Sequence, residues 1–96
     1  MDQARIIELL KLHKAELKSR YGLTSLAVFG SVARNTATMS SDVDLLVSFD
    51  GPATTTRYFG VQFYIEDLLH RPIDLVTDRA LRAEFRPQIE LEAIYV

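Results

Sequence analysis

A stretch of alternating residues from Asp42 to Phe49 limits most strongly what this chain can fold into. Val43, Leu45, Val47 and Phe49 fall on one face of an extended segment, whereas Asp42, Asp44, Leu46 and Ser48 fall on the other. The apolar face predicts a strand that packs on a hydrophobic core. The same pattern predicts buried carboxylates, which are costly unless they are paired or bound to a metal ion.

Helical spacing and turn residues divide the rest of the chain into alternating elements. We expect a helix from Asp2 to about Tyr21, ended by Gly22, then a strand at 26–29 and a turn with a short helix within 30–41. After the strand at 42–49 we expect a helix from about Thr56 to His70 and a strand at 73–76. A helical segment follows at about 79–93, which Pro87 breaks or restarts. His13 lies on the apolar stripe of the first helix and is expected to pack there. This order predicts an α/β (α+β) fold, with a mixed sheet of at least three strands flanked by helices.

Length and composition exclude several classes of protein. The 96 residues suffice for one domain, spanning 1–96, and not for two. A net charge of −2 offers no basic surface for direct nucleic-acid binding, and the lack of cysteine excludes disulfides and thiolate metal sites. No apolar run approaches the roughly 20 residues of a membrane span, and the N-terminus lacks the pattern of a signal peptide. We therefore expect a soluble, cytoplasmic protein with no membrane association.

Three aspartates are the candidate metal ligands. Asp42 and Asp44 project to the same side of one strand, and their charges repel unless a cation lies between them. Asp74 lies in the apolar strand 73–76, and it can join them if this strand pairs with the second, because neighbouring strands lie roughly 5 Å apart. Oxygen-only ligation suits Mg²⁺ or Mn²⁺, and two such ions roughly 4 Å apart can assist an in-line displacement.

Gly30 and Ser31 are the candidate phosphate-binding residues. Glycine lets the backbone approach a ligand closely, and a turn that opens a helix presents N–H groups to phosphate, to which Ser31 adds a hydroxyl. Arg34 can bind phosphate or pair with a nearby acid. Ser41 can contact phosphate or serve only in the loop before the strand. A phosphate site next to metal ligands suits a nucleoside triphosphate.

These motifs carry a resemblance to a known family. The segments 30–34 (Gly-Ser-Val-Ala-Arg), 41–47 (Ser-Asp-Val-Asp-Leu-Leu-Val) and 71–76 (Arg-Pro-Ile-Asp-Leu-Val) resemble the DNA polymerase β-type nucleotidyltransferase superfamily. Within it, the chain is similar to the minimal nucleotidyltransferases, the antitoxin halves of HEPN/MNT toxin–antitoxin pairs, including their Glu-Ala-Ile-Tyr-Val tail at 92–96. Asn35 stands where the family often has glycine, and asparagine tolerates the left-handed backbone expected there.

The resemblance implies a role for each residue. Gly30 and Ser31 would hold the triphosphate, Asp42 and Asp44 would bind two Mg²⁺ ions, and Asp74 would complete the catalytic metal site and help deprotonate the acceptor hydroxyl. The implied reaction transfers AMP from ATP to a tyrosine of a partner HEPN ribonuclease encoded by an adjacent gene. This transfer silences the toxin within a hetero-oligomer.

Two other functions fit the same residues. A binding module could neutralise its partner by contact alone, with a vestigial site. A small-molecule nucleotidyltransferase could modify an antibiotic, although such enzymes generally need an added domain for the acceptor, and 96 residues leave little room for one.

Overall fold

A computed structural model describes residues 2–96 and shows helices on a four-stranded sheet. The elements in chain order are α1 (Gln3–Tyr21), β1 (Leu23–Phe29), α2 (Gly30–Ala33), β2 (Val43–Phe49), α3 (Thr55–Leu69), β3 (Ile73–Thr77), a 3₁₀ turn (Asp78–Ala80), α4 (Arg86–Glu92) and β4 (Ile94–Tyr95). The predicted fold class, a mixed sheet flanked by helices, is confirmed.

The sheet has the strand order β3-β2-β1-β4. β1 runs antiparallel to both β2 and β4, whereas β2 and β3 are parallel. A parallel pair needs a long crossover connection, which α3 supplies. The crossover places β3 beside β2, as the aspartate prediction required.

The hydrophobic core lies between one face of the sheet and the two long helices. Its buried residues include Ile6, Leu10 and Leu17 of α1, Val61, Ile65 and Leu69 of α3, and Val43, Leu45 and Val47 of β2. Burying side chains of this size contributes about 1.5–3 kcal/mol each to the hydrophobic stabilisation. The core therefore occupies the apolar face of β2 and leaves the aspartate face away from the long helices.

Both ends of α1 follow from its sequence. Asp2 caps the first turn by accepting a hydrogen bond from the Arg5 N–H, and Gly22 ends the helix with φ of 74°. His13 bonds to the hydroxyl of Tyr64 on α3, so its predicted packing role is confirmed. Among residues 2–96, no helix is both long and apolar enough to span a bilayer.

The structure corrects two parts of the predicted element order. β1 begins at Leu23 instead of Leu26, with an irregularity in its pairing near Ser25. The segment 79–93 is not one helix, because only Arg86–Glu92 is α-helical. Pro87 lies in the first turn of α4, where its missing N–H costs nothing, so it restarts the helix. The tail then adds β4, which sequence periodicity cannot reveal in two residues.

Candidate active site

Asp44 and Asp74 lie opposite each other on the parallel strands β2 and β3. The low solvation of the Asp44 carboxyl raises its pKa to about 6, and its repulsion from Asp74 and hydrogen-bonding contact with that carboxyl add to the shift. Asp42 raises the pKa further, whereas Arg34 opposes the change. The structure thus places Asp44 beside Asp74, and Asp42 lies close enough for its charge to act on Asp44.

Asp42 precedes β2 and is held there by the loop before it. The guanidinium of Arg71 donates from Nη2 to the carbonyl oxygens of Thr38, at 2.9 Å, and Ser41, at 2.6 Å. The Val43 N–H donates to the carbonyl oxygen of Pro72 at 2.9 Å. Arg71 and Pro72, which precede β3, therefore hold the residues on either side of Asp42.

The expectation of buried carboxylates is wrong. Within residues 2–96 no charged side chain is buried: Asp42 and Asp74 are exposed, and Asp44 is half-buried. The apolar neighbours of Asp44 on β2 are buried because they face the helices, whereas the aspartates point to the open side of the sheet. Solvent and ligands can therefore reach all three carboxylates.

Gly30 brings the turn after β1 directly against Asp44. Its φ is 71°, and a Cβ placed on Gly30 would lie 2.1 Å from Asp44 Oδ2, far inside van der Waals contact. The Gly30 N–H donates to Glu92 Oε1 at 2.9 Å. This N–H is thus engaged within the protein, and the close approach to Asp44 is the reason the position requires glycine.

The other predicted nucleotide-binding residues lie around the same turn. The Ser31 hydroxyl has no hydrogen-bond partner within residues 2–96. Arg34 pairs through Nη1 with Glu92 Oε2 at 3.0 Å, so the acid pairing is the alternative that the structure contains. The Ser41 hydroxyl accepts from the Thr38 N–H and stabilises the loop. Asn35 has φ of 60°, which confirms the left-handed backbone expected there.

Known proteins are similar to this chain in overall sequence and in fold. The family model for the nucleotidyltransferase domain matches residues 10–96. The chain belongs to the nucleotidyltransferase family. It is 36% identical over 94 residues to a candidate protein adenylyltransferase of Methanocaldococcus jannaschii, covering 97% of this chain and 96% of that one. It is 35% identical over 91 residues to the protein adenylyltransferase MntA of Thermococcus cleftensis, covering 95% and 92%.

Solved structures of nucleotidyltransferases show the same fold. A structure described as a candidate minimal nucleotidyltransferase superposes with a TM-score of 0.77 at 37% identity, over 98% of this chain and 95% of that one. The complex of a tri-AMPylated Shewanella oneidensis HEPN toxin with an MNT antitoxin gives a TM-score of 0.61 at 18% identity, over 97% and 66% of the chains. The predicted family and enzyme class are thereby confirmed.

The donor set of this nucleotidyltransferase fits Mg²⁺. Within residues 2–96 no group of three or more acidic, histidine or cysteine side chains closes around a metal position by itself. The facing carboxylates of Asp44 and Asp74, with Asp42 beside them, supply only oxygen donors. Mg²⁺ keeps waters and takes its remaining ligands from phosphates, so an open set of carboxylates suits it. A divalent cation would also relieve the repulsion that raises the pKa of Asp44.

Sequence reasoning missed two residues of the site, Glu92 and Arg71. Glu92 lies 62 residues from Gly30, and Arg71 lies 30 residues from Ser41, so no local pattern relates them. The signal that was present is that both belong to the segments carrying the family resemblance. Neither position could be given a role until the strands were paired.

Proposed function

We propose that this nucleotidyltransferase is a Mg²⁺-dependent protein adenylyltransferase that acts as an antitoxin. It transfers AMP from ATP to a tyrosine hydroxyl of a HEPN ribonuclease toxin encoded by an adjacent gene, and so inactivates it. The observation that carries the proposal is the in-register pair Asp44 and Asp74 with the Gly30 turn packed directly against it. Carboxylates for divalent cations beside a turn that opens a helix suit a nucleoside triphosphate.

The named relatives support a protein acceptor. The relatives from M. jannaschii and T. cleftensis are named for protein adenylyl transfer, and both are covered along more than nine-tenths of their length. The S. oneidensis complex contains a HEPN toxin that carries AMP groups and is bound to an MNT antitoxin. These names favour a protein acceptor over the antibiotic acceptor of the third interpretation.

The proposed mechanism assigns a step to each of these side chains. The tyrosine oxygen forms a bond to the α-phosphorus as the bond to the bridging oxygen breaks, and pyrophosphate leaves. Asp74 accepts the hydroxyl proton, and the hydroxyl of Ser31 with the guanidinium of Arg34 binds the leaving pyrophosphate. Bound Mg²⁺ supplies charge stabilisation for the triphosphate and lowers the pKa of the acceptor hydroxyl. Asp42 and Asp44 would hold the ions.

Neutralisation by contact alone is the second candidate. Phe59 and Phe63 lie one turn apart on α3, stack with ring centroids 6.0 Å apart, and remain 44% and 59% exposed. Exposed aromatic pairs of this kind are enriched at protein interfaces. A toxin bound there could be blocked without transfer of AMP.

The decisive experiment is incubation of the chain with ATP, Mg²⁺ and the HEPN protein, followed by intact-mass measurement of that protein. We expect mass gains in steps of one AMP, with fragmentation placing each AMP on tyrosine. The control is the double variant Asp42→Asn with Asp44→Asn, whose circular dichroism should show an intact fold and whose transfer should be absent.

Two results would contradict the proposal. One is an unmodified HEPN protein after incubation with the wild-type chain, and the other is normal transfer by the double variant. A cellular assay separates the two candidates: if the double variant still neutralises the toxin, contact suffices, and if toxicity returns while the complex persists, catalysis is required.

A further inference from the structure

The carboxylate of Glu92 joins the two parts of the proposed phosphate site. Its Oε1 accepts a hydrogen bond from the Gly30 N–H at 2.9 Å, and its Oε2 accepts one from Arg34 Nη1 at 3.0 Å. The Glu92 side chain is only 17% exposed, whereas that of Arg34 is 50% exposed. A largely enclosed carboxylate therefore bridges the backbone of the turn and the guanidinium of Arg34, which follows the turn.

Glu92 is itself held in place by the sheet. It is the last residue of α4, and β4 begins two residues later. In β4, Ile94 pairs with Val28 and Tyr95 with Ala27, so the pairing ends two residues before Gly30. The strand pairs therefore keep the Glu92 backbone close to the turn, and the two hydrogen bonds orient its carboxylate.

Arg34 keeps donors for a ligand while it is paired. A guanidinium has five N–H donors, and within residues 2–96 the Arg34 side chain makes no hydrogen bond except that to Glu92. Its positive charge is near enough to Asp44 to lower the pKa of that carboxyl.

We propose that Glu92 is a positioning residue that holds the Gly30 turn and the Arg34 guanidinium in place for the triphosphate of the nucleotide. The proposal rests on the proposed function, because it assigns a role at the same site. Glu92 acts through Gly30 and Arg34 and has no contact of its own with the reacting atoms. Its effect should therefore appear in nucleotide affinity before it appears in the rate of the bound complex.

The test compares Glu92→Ala, Glu92→Gln, Arg34→Ala and the double variant Glu92→Ala with Arg34→Ala. Calorimetry with a non-hydrolysable ATP analogue and Mg²⁺ gives Kd, steady-state transfer to the HEPN protein gives KM and kcat, and thermal unfolding reports the folded fraction. Glu90→Ala is the matched control, because Glu90 lies on the same helix and, among residues 2–96, pairs only with Arg86 at the surface.

We expect Glu92→Ala to weaken analogue binding by about tenfold, the size of one lost charge-assisted hydrogen bond, with a matching rise in KM for ATP. Glu92→Gln keeps an acceptor for Gly30 but loses the charge that holds Arg34, so its Kd should fall between those of Glu92→Ala and the wild type. The losses in the double variant should be less than additive, because part of the Glu92 effect passes through Arg34, and the remaining difference from Arg34→Ala measures the part that passes through Gly30. Glu90→Ala should bind normally.

Three results would overturn the inference: unchanged binding by Glu92→Ala, fully additive losses in the double variant, or tighter binding by Glu92→Ala. Tighter binding would mean that the carboxylate competes with phosphate for its partners. If the wild-type chain binds the analogue in a Glu92-dependent way but adds no AMP to the HEPN protein, the proposed reaction fails and the role of Glu92 stands.

Discussion

Asp44 and Asp74 occupy matching positions on two parallel strands, and their carboxyl groups meet on the side of the sheet that the long helices leave uncovered. Neither strand alone creates this pair. The partial burial of the Asp44 carboxyl raises its pKa to about 6, above its ordinary value of 3.8, and the like charge of Asp74 adds to the shift. An ionised Asp44 in this position lowers the stability of the protein when no cation balances its charge.

Replacement of Asp44 by Asn should stabilise the metal-free protein at neutral pH. Between about pH 4 and 6 the folded state keeps the Asp44 proton while the unfolded state has lost it, so the free energy of unfolding falls as pH rises. Above pH 6 the full cost of ionising Asp44 in the folded state is present, and below pH 4 this cost disappears. We expect Asp44→Asn to be more stable by about 1 kcal/mol at pH 8, since the half-exposed carboxyl is partly screened by solvent.

Urea unfolding of both proteins in EDTA from pH 4 to 8 measures this difference. The gap between the two free energies should close as the pH approaches 4. Asp67→Asn, an exposed aspartate on α3, is the control and should stay within about 0.5 kcal/mol of the wild type. A gap that widens toward low pH would reverse the sign and contradict the prediction.

Replacement of Gly30 by Ala should remove activity and lower stability together. The new methyl group would overlap Asp44 Oδ2, and the φ of 71° is itself strained for alanine. We expect a loss of about 2 kcal/mol in unfolding free energy and at least a hundredfold loss of AMP transfer, because Asp44 must move. Gly51→Ala is the control, since a Cβ placed on Gly51 would lie 3.4 Å from Arg57 Nη1, an ordinary contact distance. Full activity in Gly30→Ala would show that the close approach to Asp44 is dispensable.

Replacement of Arg71 by Gln should loosen the loop that holds Asp42. The variant loses charge-assisted bonds to the carbonyl oxygens of Thr38 and Ser41, worth about 1–2 kcal/mol in loop stability. We expect faster proteolysis in the 35–41 loop and a several-fold higher Mg²⁺ concentration for half-maximal transfer. Arg82→Gln, whose contact with Glu84 is long and exposed, should behave like the wild type. An unchanged Mg²⁺ dependence in Arg71→Gln would show that the order of this loop does not affect the metal site.

Replacement of Gly60 by Ala should destabilise the protein, although alanine favours a helix by about 1 kcal/mol. A Cβ at this position of α3 would lie 2.3 Å from Tyr21 Cε1, where α1 and α3 pack together. Overpacking should outweigh the helix propensity and give a net loss of about 1 kcal/mol or more in chemical denaturation. The double variant with Tyr21→Leu should recover part of this loss, and a more stable Gly60→Ala single variant would mean that the Tyr21 ring moves aside freely.

Several features were predictable because they depend on neighbouring residues. The alternation in β2 places Asp44 opposite the core face, Gly22 ends α1, and Asn35 adopts the left-handed backbone. The exposure of the carboxylates was not predictable, because apolar neighbours in a strand show only that one face is buried. They do not determine whether the other face is covered. β4 escaped detection because two residues carry no periodicity and become a strand only through β1.

The sequence by itself determined the two long helices, the three longer strands, the aspartates and the glycine-serine turn, since side-chain spacing along the chain sets which residues share a face. Only the tertiary structure decided that Asp74 lies in register with Asp44, that Arg71 braces the loop before Asp42, and that Glu92 joins Gly30 to Arg34. These contacts link residues at least 30 positions apart in the chain. The pairing of the strands and the packing of α1 and α3 on the sheet bring these distant segments together.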